Sequence, residues 1–155
     1  MASSSYTTGS NARDTAKKGA QIIGGKDNDE GPGPEVMGSD TLCGDDVVNA
    51  QGDKLGEITE IMLDVRGGKI AYAVLSCGGF LGVGDKLFAI PWSALTMDAD
   101  RKCFILDVDK ERLENAPGFD KDRWPSMADL SWATEVHTYY GVKPYWERDP
   151  MERLQ

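Results

Sequence analysis

Residues 78–92, GGFLGVGDKLFAIPW, place four glycines among apolar side chains and follow them with a lysine. Such a loop cradles phosphate when its backbone N–H groups converge and a helix N-terminus follows. The P-loop pattern G-x-x-x-x-G-K-[ST] has its glycine spacing at Gly79 and Gly84, but Asp85 takes the lysine position and Lys86 the hydroxyl position. A carboxylate there would face the phosphates, and the Mg²⁺ ligand is missing. The dinucleotide pattern G-x-G-x-x-G fails as well, since Gly82 and Gly84 lead to Leu87. The residues after the loop, LFAIPW, have strand character. The loop therefore reads as a strand connection whose Gly78, Gly79, Gly82 and Gly84 serve backbone geometry. At its centre Phe80 and Leu81 are two large apolar residues at a loop tip, a place where another surface is often met.

The remaining reactive residues are sparse. His137 is the only histidine, and no Cys-x-x-Cys accompanies it, so a zinc site lacks ligands. A calcium loop starts at Asp27 and Asp29, but Gly31 falls where a ligand belongs and Pro32 replaces the required glycine. The acidic pair at Asp98 and Asp100 has no glycine of that pattern either. Cys43, Cys77 and Cys103 are odd in number and give no disulfide framework. Cys77 and Cys103 fall in or beside strands, where cysteine behaves as a small buried hydrophobe without a cation to activate it. Ser93 has no partner that its spacing would single out. These residues predict no enzyme, no cofactor and no metal.

The elements that would carry them come from a chain of 155 residues with 17 Lys+Arg against 26 Asp+Glu, a net charge of −9. That balance repels nucleic acid and anionic lipid. No apolar run approaches the roughly 18 residues of a membrane span, and the first 20 residues hold no apolar signal segment. A cytoplasmic protein is expected. Residues 1–35 are rich in Ser, Thr, Gly, Asn and Asp and predict a disordered tail, with Ile22 and Ile23 in QIIGG as a segment that could fold on a partner.

Residues 36–116 change to short apolar runs punctuated by turns. DVVNA and QGDK predict a strand and a turn. In LGEITEIMLDV, Ile61, Leu63 and Val65 alternate with Glu60, Met62 and Asp64, whereas Ile58 has the opposite parity, which predicts a bulge near Thr59. RGG predicts a tight hairpin turn. KIAYAVLSC is apolar at both parities, the pattern of a strand covered on both faces. KLFAI, ALTM and CFILDV complete about six strands joined by hairpin-length connections, a mainly β small antiparallel barrel. DKERLENAPG predicts a short helix capped by Asp109 and stopped at Pro117 and Gly118. Residues 117–155 hold three of the four tryptophans and a second helix, with Asp129 as N-cap, Gly141 and Pro144 at its end, and an apolar face through Trp132, Val136 and Tyr139 or Tyr140.

Taken in order, VVNAQGDKLGEI, IAYAVLS after a glycine turn, GGFLGVGDKLFAIPW and LDVDKERL resemble the PRC-barrel family. The resemblance covers about 80 residues and continues into WPSMADLSWATEVHTYYGVKPYW, which is similar to the extension of stand-alone bacterial members. It implies a compact barrel similar to SH3-like barrels. Better understood relatives are the cytoplasmic domain of the photosynthetic reaction-centre H subunit and the C-terminal domain of a ribosome maturation factor. In both, the barrel is a docking module without a catalytic site. The membrane helix of the first and the second domain of the other have no counterpart in the 155 residues. Photosynthesis and ribosome assembly therefore do not transfer with the fold.

The expected function is a non-catalytic interaction and assembly module that forms a homo-oligomer, with an unknown protein partner and no nucleic acid. The alternatives are a peripheral regulatory partner of a membrane or photosynthetic electron-transport complex and, less favoured, a thiol-based redox or stress protein. The candidate contact residues are Phe80, Leu81, Trp124, Trp132, Tyr139, Tyr140 and Trp146. Replacing Phe80 and Leu81 together by Ser is expected to weaken self-association while leaving the circular dichroism unchanged. An unaltered oligomer by light scattering would remove the loop from the interface.

Overall fold

A computed structural model describes residues 19–25, 31–77 and 86–147. The loop 78–85, with Phe80, Leu81 and its four glycines, lies outside the described residues. So do residues 1–18, 26–30 and 148–155.

The described chain forms eight strands: β1 Gln21–Ile23, β2 Asp46–Val48, β3 Lys54–Asp64, β4 Lys69–Ser76, β5 Lys86–Pro91, β6 Leu95–Asp98, β7 Cys103–Leu106 and β8 Gly118–Asp120. Three helices accompany them: α1 Ser39–Leu42, α2 Lys110–Glu114 and α3 Leu130–Tyr140. All strands join one sheet in the order β1-β6-β7-β2-β3-β4-β5-β8. Strands β2 to β7 are the six expected from the sequence, and they are contiguous in the sheet. Their inward residues, from Val47 on β2 to Leu106 on β7, share one core with Leu55, Leu75, Phe88 and Leu95. Strands β5 and β6 stand at opposite ends of this six-strand run, yet only the 3₁₀ turn Trp92–Ala94 separates them in the chain. The sheet is therefore curved around its core.

The expectation of a mainly β fold holds, but that of a small antiparallel barrel of about six strands needs correction in detail. The ladder is open, with eight strands, and β1–β6 and β2–β7 pair in parallel. The reason lies in the flanking segments. Strand β1 takes the outer edge of β6, and β8 takes the outer edge of β5. The two edges that a closed barrel would join are thus already hydrogen-bonded to other strands. Strand β1 also lies within residues 1–35, read from the sequence as a tail.

Local chemistry sets the registers. The β3–β4 ladder shifts between Ile58 and Glu60. This bulge at Thr59 lets Ile58 and Ile61, three residues apart, both pack on the inner core. The turn after β2 is held by buried Asn49, whose Oδ1 accepts from the N–H groups of Gln51 at 3.0 Å and Asp53 at 2.9 Å. Gly56 is required by contact: a Cβ there would lie 2.5 Å from the carbonyl oxygen of Ser76. Asp109 caps α2, accepting from the Arg112 N–H at 2.7 Å, and Asp129 caps α3, accepting from the Ser131 N–H at 2.9 Å. Gly141, at φ 70°, ends α3 with Val142 N–H donating to the His137 carbonyl and Gly141 N–H to that of Thr138.

Strand β4 confirms the two-sided reading. Ala73 and Leu75 face the inner core, whereas Tyr72 and Val74 face outward into a second cluster. Strand β5 repeats the pattern, with Phe88 and Ile90 inside and Ala89 outside. Helix α3 covers this outer face through fully buried Val136, flanked by Trp132 and Tyr140. Phe119 of β8 joins the same cluster. Replacing Val136 by Ala removes two buried methyl groups, an expected loss of about 2 kcal/mol. Leu63, 63% exposed, should cost less than about 0.5 kcal/mol when replaced by Ala. Equal effects of the two substitutions in urea denaturation would contradict the outer layer.

Candidate protein-interaction site

The aromatic residues of the extension are the candidate site that the described residues contain. Their positions follow from the outer face of β4. Tyr72, buried at 1% exposure, meets Trp132 edge-on at a centroid distance of 5.6 Å and Tyr145 at 5.8 Å. His137 lies 5.4 Å from Tyr72 and 5.4 Å from Trp146, and Tyr145 and Trp146 stack edge-to-face at 5.1 Å. Such tilted and T-shaped pairs suit the ring quadrupoles and add about 0.5–1.5 kcal/mol each beyond area burial. The segment after α3 is drawn back over the sheet, with Lys69 Nζ donating to the Tyr145 carbonyl at 3.5 Å.

Tyr139 serves a different joint. Its hydroxyl donates to the Arg112 carbonyl, the Arg112 guanidinium donates to the Tyr139 carbonyl, and the cation sits 4.3 Å from the ring centroid. Helices α2 and α3 are clamped by this one pair of residues. Tyr140 touches both apolar clusters. Trp124 packs against Phe119 at 5.0 Å and donates its indole N–H to the Lys121 carbonyl at 2.9 Å, yet keeps 44% of its surface exposed. Trp132, Tyr139, Tyr140 and Trp146 remain half-buried. The structure gathers Trp132 and Trp146 around Tyr72 and His137. It places Tyr139 at the α2 joint and Trp124 before α3.

Three participants were not singled out by sequence: Tyr72 as the centre of the cluster, His137 as a buried member and Arg112 as the clamp. The signals were present in part. Tyr72 has the outward parity of a two-sided strand, and His137 follows Val136 on the apolar face of α3. Its burial is nearly complete at 1% exposure. Nδ1 lies 2.7 Å from the Ala133 carbonyl oxygen, which can only accept, so Nδ1 carries the proton. Nε2 has no partner among the described residues, nor do the hydroxyls of Tyr72 and Tyr140. Burial pushes the imidazole below the usual histidine range, against the opposing pull of the Ala133 carbonyl and Glu147.

The thiols are not set up as nucleophiles. Burial pushes Cys77 up to about 11. Burial also raises Cys43, helped by Glu60, and Cys103, helped by Asp98. Nucleophilic chemistry at neutral pH needs the opposite shift.

The buried imidazole gives a pH dependence of definite sign. An unfolded histidine takes up a proton near pH 6.5, whereas folded His137 resists it. Stability supplied by the neutral ring is complete above that pH and is lost as pH falls through the lowered folded value. His137 is the only histidine, so its replacement isolates its share of the slope between about pH 7 and 5.5. The expected result is a midpoint in urea that declines with acidification more steeply for the wild type than for His137→Phe over that window. Parallel curves would refute the burial of the ring.

Among the described residues no helix is long and apolar enough to cross a membrane. No curated protein matches the chain. The family model for the PRC-barrel domain matches residues 34–113, just over half of the 155 residues. This segment contains α1, strands β2 to β7 and the bulk of α2, and leaves β1, β8 and α3 to the flanks. By that match and by the six-strand unit it encloses, the chain belongs to the PRC-barrel family.

Proposed function

We propose that the chain is a non-catalytic interaction and assembly module of the PRC-barrel type that associates with itself. The observation that carries this reading is the apolar surface remaining on the C-terminal extension. That extension already covers β4 and β5, yet Trp124 is 44% exposed and Leu130, at the start of α3, is 63% exposed. Large apolar groups left uncovered on an otherwise packed extension are groups that a second chain could cover. The loop with Phe80 and Leu81 is a second candidate for the same role, from sequence alone. The elevated thiols favour an interaction role over a redox one.

Sedimentation velocity tests the reading. The full chain should sediment as a dimer or larger at micromolar concentration. Leu130→Ser, which alters an exposed side chain, should shift it toward monomer without changing the thermal midpoint. Trp124→Ser should act in the same direction. A wild-type monomer throughout the concentration series would overturn self-association.

A further inference from the structure

A separate groove is lined by the segment before α1 and by β6. It consists of two adjoining hollows of about 310 and 410 Å³. Pro34, Met37, Leu42 and Met97 line both, with Leu42 and Met97 nearly buried and Met37 half-buried. The second hollow also reaches Ile22, Val36 and Ile70. Ile70 stands directly opposite Leu63 in the β3–β4 register, and residues so paired share a sheet face. The apolar surface therefore runs on toward Leu63, 63% exposed, from Val36, 69% exposed. Methionines at 37 and 97 give it a floor that can adapt to different side chains.

Its charge is one-sided. Glu35, Asp45 and Asp98 line the groove, against Lys102. Asp98 is already occupied: Oδ1 accepts from the N–H groups of Asp100 and Arg101, and Oδ2 faces the Arg101 guanidinium at 3.7 Å. Glu35 and Asp45 form no ion pair among the described residues. Burial and then the neighbouring Asp46 raise the Asp45 carboxyl above the ordinary value, against the opposing pull of Lys102. Lys102, in the same hollow, answers Asp45 only in part. A second copy of this chain, at net charge −9, is poorly matched to such a rim.

We infer that this groove binds a segment of a partner protein that combines apolar side chains with lysine or arginine. The apolar residues would lie on Met37, Leu42 and Met97, and the cations would meet Glu35 and Asp45. The inference rests on the reading of the chain as an interaction module, but not on its self-association, which was assigned to other residues. Partner choice at such a surface comes from apolar contact and charge together.

The test uses the full chain and a synthetic, end-blocked decapeptide of alternating Leu and Lys. Two control peptides replace every Leu by Ser or every Lys by Glu. Amide and methyl NMR shifts report the site, and titration calorimetry reports affinity. The Leu–Lys peptide should saturate, with shifts concentrated at Met37, Leu42, Asp45 and Met97. Both controls should bind at least tenfold more weakly. The combined variant Glu35→Gln and Asp45→Asn should lose roughly tenfold in affinity at low salt, the effect of two partly exposed ion pairs. Met37→Lys, at a half-buried groove position, should abolish the shifts while keeping the wild-type spectrum elsewhere. Equal binding of the Leu→Ser control, or shifts spread over the acidic surface, would reduce the interaction to unspecific attraction and overturn the inference. So would equal binding of the Glu control, absence of binding, or groove signals that change on dilution of the chain alone, which would assign the groove to a second copy. Sedimentation of the same samples reports self-association independently.

Discussion

Strand β4 must bury both of its faces, and the architecture follows from that requirement. Its inward residues complete the curved core, while Tyr72 and Val74 would otherwise meet water. Full burial of such side chains is worth about 1.5–3 kcal/mol each, a large share of a small domain's stability. Helix α3 supplies the second cover, with Val136 at its centre and Trp132 and Tyr140 beside it. The aromatic layer of Tyr72, His137, Tyr145 and Trp146 then seals the margin. The family unit at residues 34–113 does not include this cover. The extension is thus a structural partner of the barrel, attached in the same chain.

The flanks also decide how the sheet ends. A six-stranded unit curved by the turn at Trp92–Ala94 brings two free edges to its ends. Strands β1 and β8 occupy them, and the ladder stays open. Each added strand is only three residues long. Coverage of one edge leaves another at β1, whose Ile22 is 39% exposed and lines the acidic groove. The N-terminal segment that adds this strand also builds the groove wall through Pro34 and Met37. Core, cover and binding surface are therefore consecutive consequences of how the flanking segments finish one sheet.

Much of this was legible in the sequence. Strands β2 to β7 showed in alternation and turn residues, Thr59 in a break of parity, and both longer helices in their Asp caps and glycine stop. The two-sided burial of β4 could be read from an apolar run without a period. What escaped was short or long-range. Three residues in QII or GFD carry too little periodicity to register as strands, and the four-residue α1 has no side-chain cap. Edge pairing is decided by which distant segment reaches the edge, which no local pattern encodes. The aromatic tail was visible as a group needing burial, but not its division between Tyr72, the Arg112 clamp and the exposed Trp124. The groove was invisible because Pro34, Leu42 and Met97 meet only through the tertiary fold.

The central claim is that the extension and the barrel form one cooperative unit, because β4 cannot stay folded with its outer face bare. Native-state hydrogen exchange in low denaturant measures this directly. The account predicts that the interior amides of α3, around Val136 and His137, open with the same free energy and the same denaturant slope as those of β4 and β5. Exchange of α3 through a separate opening of much lower energy, with β4 remaining protected, would contradict it.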